Sequence, residues 1–171
     1  DKWYTYDPEN PSDTTAVFKD GDTANVRVTV INNSGDATSN VEVYIPIPKK
    51  GGVDLGDAFL SDTIGFDMFV GGEADTTGAN GWSVQYGQVE SVSYTDNGVP
   101  DVIKLKDGTD WSSDYQEANM IKLSLSDGYS LENGGQAQII LKFEATDDSG
   151  QTNSKNIFKS WWKYNAGGTS R

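Results

Sequence analysis

Carboxylates, amides, hydroxyls, amines and aromatic rings are the only side chains with chemistry to offer in this 171-residue sequence, which has no Cys and no His. Their absence removes disulfides, thiolate nucleophiles, the common zinc sites, Ser-His-Asp triads and the imidazole proton shuttle. Acid chemistry would fall to the seven glutamates Glu9, Glu42, Glu73, Glu90, Glu117, Glu132 and Glu144. A pair of carboxyls on a β-sandwich is the machinery that cleaves glycosidic bonds. No pair here stands in an apolar surround that would raise one pKa, and Glu42 and Glu144 fall at polar, outward positions of alternating strands. The chain reads as non-catalytic.

Five Trp and eight Tyr are more than a plain spacer needs, and flat aromatic faces stack on sugar rings. The candidate platforms are Trp82 with Tyr86 on one strand face, Trp111 in the loop 107–114, Tyr115, and Trp161 beside Trp162. The competing place for Trp82, Tyr86 and Trp162 is the core, where large aromatics of sandwiches usually sit. Neighbouring residues of a strand face opposite ways, so one of Trp161 and Trp162 must be partly exposed. Clustered loop carboxylates suit a hard cation, and calcium is the cation to consider at Asp54 with Asp57, Asp107 with Asp110, and above all Asp147 with Asp148. The plainer meaning of acidic loops is solvated charge. No other cofactor is expected.

Thirteen basic against 26 acidic residues leave a formal charge of -13, which repels nucleic acid and anionic membranes. No window approaches the roughly 20 apolar residues of a membrane-spanning helix, and the N-terminal residues lack a signal-peptide pattern. Neither a nucleic-acid partner nor membrane insertion is expected, and the natural state is a monomer.

These side chains must be positioned by strands. Val26, Val28 and Val30 alternate with polar residues, as do Val41, Val43 and Ile45 before Pro46 and Pro48 withdraw two backbone donors. Trp82, Val84 and Tyr86 alternate next, and Thr95-Asp96-Asn97-Gly98 is a hairpin turn between 89–94 and 99–105. The spacing predicts further strands through Ile121, Leu123 and Leu125, through Ile139, Leu141 and Phe143, and over 156–164. The middle section reads as an antiparallel meander, 71–81 as a loop, and 114–120 as the one helical turn. About nine or ten strands in 171 residues imply a single all-β domain, an antiparallel β-sandwich of immunoglobulin-like type, with 1–13 as an extended lead-in and 166–171 as a tail.

The segment from Phe18 to Pro48 carries a Gly21-Asp22 turn, an alternating strand to Ile31, the polar turn from Asn33 to Thr38 and a Val-rich strand closing on Ile45-Pro46. It resembles the opening of the conserved-repeat, immunoglobulin-like domains of cell-wall-anchored surface proteins of Gram-positive bacteria. The segment from Gly135 to Ala145 and the strand after it are similar to the closing strands of those repeats. The resemblance implies a structural or adhesive module of a larger extracellular protein, with neighbouring domains of its own chain, a glycan or a host or cell-surface protein as partner. It carries over no catalytic residues. Its alternative is a carbohydrate-binding module using exposed Trp and Tyr. Surface domains of this kind sometimes form a Lys–Asn amide crosslink, for which Lys19 with Asn156 or Asn165 would be the candidates. Lys155, Lys159 and Lys163 share one strand parity with Trp161, a stripe suited to guarding a strand edge.

Overall fold

The computed structural model describes residues 21–49, 55, 67–145, 160–166 and 169–170. The strands among them are β1 (Thr23–Ile31), β2 (Thr38–Pro46), β3 (Met68–Gly78), β4 (Trp82–Gly87), β5 (Val89–Tyr94), β6 (Pro100–Leu105), β7 (Met120–Leu125), β8 (Gln136–Ala145), β9 (Trp161–Ala166) and β10 (Thr169–Ser170). All pair antiparallel. One sheet has the order β1-β8-β3 and the other β10-β9-β2-β7-β4, while β5 and β6 pair only with each other. Consecutive strands pass directly from one of these sheets to the other five times, at β1–β2, β2–β3, β3–β4, β7–β8 and β8–β9.

The alternation seen in the sequence sets which face each sheet buries. Ile139, Leu141 and Phe143 of β8 meet Val41, Val43 and Ile45 of β2 and Ile121, Leu123 and Leu125 of β7 in one contiguous cluster between the sheets. Ile139, Leu123 and Phe143 have no accessible surface, and each such side chain contributes roughly 1.5–3 kcal/mol. The fold is thus an all-β antiparallel sandwich.

A second apolar cluster lies on the other face of the five-stranded sheet. Tyr44 and Met120 have the opposite parity to Val43 and Ile121, so they point away from the sandwich. Leu55, Val89, Val92, Ile103, Leu105, Trp111 and Trp161 close over them. The β5–β6 hairpin is therefore a cover laid on the outer face, not a continuation of either sheet.

Four features depart from the sequence reading. Residues 71–78 form most of β3 rather than a loop. A Cβ on Gly71 would lie 3.2 Å from the Glu144 nitrogen and one on Gly78 3.1 Å from the Gln138 oxygen, so glycine permits a close approach to β8. The register slips at three places, which erases the period-two pattern. The middle section is not a meander, since β4 pairs with β7. The side chain of Asn119 captures the chain as it leaves β4: its Oδ1 accepts from the Val89 N–H at 2.7 Å and its Nδ2 donates to the Val89 carbonyl at 2.8 Å. Residues 114–119 form turns, not helix, with Glu117 at φ 58°. In the segment expected to be a tail, Ala166 is buried and Thr169 and Ser170 pair back onto Ala166 and Asn165.

The turn between β1 and β2 is organised by Asn32, 5% exposed. Its amide donates to the carbonyls of Asp36 at 2.7 Å and Leu131 at 2.6 Å, while its Oδ1 accepts from the Ser34 N–H at 2.9 Å. Replacing Asn32 by Ala removes these hydrogen bonds together at a buried side chain and is expected to destabilise the fold by about 2 kcal/mol. Urea denaturation checks this, with an unchanged midpoint as the contrary result.

Candidate functional site

Outward-facing positions of the five-stranded sheet line up in rows across its strands. Trp161 is opposite Tyr44, Tyr44 opposite Lys122 and Lys122 opposite Gln85; in the next row Lys163, Glu42, Ser124 and Ser83 follow one another. The hairpin and Trp111 cover the apolar end of this face. The polar end stays open as a groove of about 740 Å³, lined chiefly by Asn40, Glu42, Gln85, Lys122, Ser124 and Lys163.

Tyr44 forms the boundary. Its ring stacks on Trp161 with centroids 5.5 Å apart and meets Trp111 at 5.8 Å, and its hydroxyl donates to Glu42 Oε2 at 2.8 Å. Burial and the adjacent Glu42 carboxylate push the Tyr44 phenol well above its ordinary range. Glu42 also pairs with Lys163 Nζ at 2.7 Å. Burial opposes its ionisation, but the hydrogen bonds from Lys163 and Tyr44 and the charges of Lys163 and Lys122 outweigh it and hold the carboxyl below its usual value.

Trp111 is set by backbone geometry. Tyr86 and Ser112 exchange hydrogen bonds, N–H to carbonyl at 2.7 and 3.1 Å, which straps the Trp111 loop to β4. The indole then lies over Gly87, where a Cβ would come within 2.7 Å of its Cζ3. Lys122 Nζ sits 5.0 Å from the Trp111 ring centroid and Lys163 Nζ 5.9 Å from that of Tyr44, within range of cation–π attraction.

Asn40 enters the groove through a β-bulge. Between Ser39 and Glu42 the register against β9 slips, and Asn40 takes φ 51°, a left-handed conformation that Asn tolerates better than most residues. The extra residue explains how Thr38 and Val41, three apart, both face inward and are buried. At the groove floor, Ser124 Oγ is buried and has no hydrogen-bond partner.

Of the aromatics singled out in the sequence, the structure brings Trp111 and Trp161 together around Tyr44, beside the groove. Trp82 and Tyr86 do not form a platform: they are 8% and 4% exposed and belong to the sandwich core. Their strand alternation points them at the other sheet. Tyr115 is half-buried, edge-on to Tyr86 at 5.7 Å, and packs on that core rather than lining the groove. Trp162, 54% exposed, faces the opposite side from Trp161 and stacks on Tyr164 at 5.1 Å. Lys163 shares the face of Trp161, as its parity requires, and is ion-paired to Glu42 on a strand that lies between β10 and β2. Asp147 and Asp148, with Asp54, Asp57, Lys19, Lys155, Lys159 and Asn156, lie outside the described residues. Among the described residues no group of three or more Asp or Glu is placed to hold a metal ion.

Sequence reasoning missed Asn40, Gln85, Lys122 and Ser124. The sequence shows only that Lys122 and Ser124 interrupt Ile121, Leu123 and Leu125 and so face away from the core; that β7 is flanked on both sides comes from the topology. No protein-family model, curated protein or solved structure matches the chain.

Two outcomes are expected. Gly87→Ala pushes the indole off its seat, so Trp fluorescence shifts and the melting temperature falls by the equivalent of about 1–3 kcal/mol; an unshifted spectrum would contradict the packing. Glu42 has a lowered pKa when folded, so its contribution is present above the ordinary value of 4.5 and is lost as pH falls through that value and below. Glu42→Gln should therefore cost up to ~1 kcal/mol at neutral pH, with the two melting curves converging as the pH is lowered below the ordinary carboxylate value. Parallel curves across that range would refute the assignment.

Proposed function

We propose that the chain is a non-catalytic adhesive module of a larger bacterial extracellular surface protein, and that it holds carbohydrate in the groove on the outer face of its five-stranded sheet. The groove carries this reading. Sugars present rows of hydroxyls above a weakly polar ring face, and they are held by planar amides and charged groups acting beside an aromatic wall. Asn40, Gln85 and Asn165 supply amides and Glu42 and Lys163 a fixed acceptor and donor, and the covered cluster of Tyr44, Trp111 and Trp161 closes the face beside them. The ordered strand and turn pattern from Gly21 to Pro48, with its likeness to surface-protein repeats, supports the extracellular setting. The non-catalytic part rests on Glu42, whose ion pair holds it charged, whereas a glycosidase acid needs a raised pKa.

Titrating Trp fluorescence with soluble starch, xylan, cellulose oligomers and mucin fragments should show saturable change with at least one. Trp111→Ala is expected to weaken that binding at least tenfold, about 1.4 kcal/mol, while circular dichroism stays native. A flat response across the panel removes carbohydrate as the ligand, and release of reducing sugar would overturn the non-catalytic reading.

A further inference from the structure

Lys122 is the one groove lysine whose charge is left over. Lys163 spends its charge on Glu42 at 2.7 Å, and Glu42 has Tyr44 as its second donor at 2.8 Å. Lys122 projects from β7 between buried Ile121 and Leu123, half-buried and braced against the Trp111 ring at 5.0 Å, and forms no salt bridge within 4.0 Å among the described residues. Burial lowers its pKa, with Glu42 opposing and Lys163 adding to the shift. The groove is also lined by the carboxylates Glu42 and Asp127, so Lys122 has acidic neighbours but no salt bridge of its own. Beside it on the same strand, Ser124 Oγ is buried without a partner, and buried polar atoms almost always have one.

We infer that the groove selects a carboxylated sugar, a uronic-acid residue or its like, whose carboxylate is bound by Lys122. This rests on the carbohydrate reading of the groove and names its ligand class. An ammonium already stripped of much of its water and fixed by an aromatic ring loses little on meeting a carboxylate, so the contact adds affinity as well as selectivity. The protein's overall acidity works the other way at long range. That repulsion favours a short oligosaccharide with one or two carboxylates over a long polyanion, and added salt, by screening it, narrows the difference.

The test compares a uronic-acid oligosaccharide with the same oligosaccharide after reduction of its carboxyls to alcohols, by calorimetry on unmodified protein and on Lys122→Gln. Unmodified protein is expected to bind the carboxylated form about tenfold more tightly than the reduced one, and Lys122→Gln to lose that preference while keeping its affinity for the reduced form. Equal binding of both forms by unmodified protein overturns the inference and leaves carbohydrate binding standing. Binding of neither form, nor of any neutral glycan, overturns both. The comparison on unmodified protein needs no substitution, so the inference stays testable even where Lys122→Gln is poorly folded.

Discussion

Tyr44 has to satisfy two environments at once, and the outer face of the five-stranded sheet is arranged around that requirement. A strand residue facing away from the core ordinarily meets water. Here its ring is buried between Trp161 and Trp111 while its hydroxyl reaches the carboxylate of Glu42. The ring needs a cover, which the β5–β6 hairpin and the strapped Trp111 loop provide. The hydroxyl needs an acceptor, which fixes Glu42 and through it Lys163. One side chain thereby divides the face into an apolar half that is roofed and a polar half that is open.

The local devices follow from this division. Gly87 is bare because the indole occupies the space of its Cβ. Asn119 imitates a strand with its side chain because the backbone leaving β4 must turn up off the sheet, and its first N–H and carbonyl would otherwise be buried unpaired. The bulge at Asn40 inserts a residue where β2 passes from turn to groove, so a polar side chain faces outward without disturbing the inward series from Val41 to Ile45.

The sandwich was legible in the sequence because period-two alternation survives wherever one face is buried: β1, β2, β4, β7 and β8 could each be seen in advance. β3 was hidden because three register slips and its glycines break the period. The hairpin's role was hidden for another reason, since alternation in β5 and β6 reports one buried face without saying what buries it. The aromatics were visible as a group but not as individuals. Trp82 and Tyr86 obeyed the alternation that sends them into the core, whereas Trp111 sits in a loop whose placement depends on a bridge to Tyr86 that no local pattern encodes. Lys122 escaped notice because a lone lysine on a strand ordinarily means solvent, and only the topology, with β7 flanked by β2 and β4, makes it a floor residue.

The hairpin shares no ladder with either sheet and is attached by side chains and the Asn119 clasp. Its length and sequence can change without altering a single strand register of the sandwich. The border between roofed and open sheet is therefore set by the hairpin together with the Trp111 loop, not by the strand ladders. Lengthening or trimming the hairpin would resize the groove while the framework beneath it stays the same.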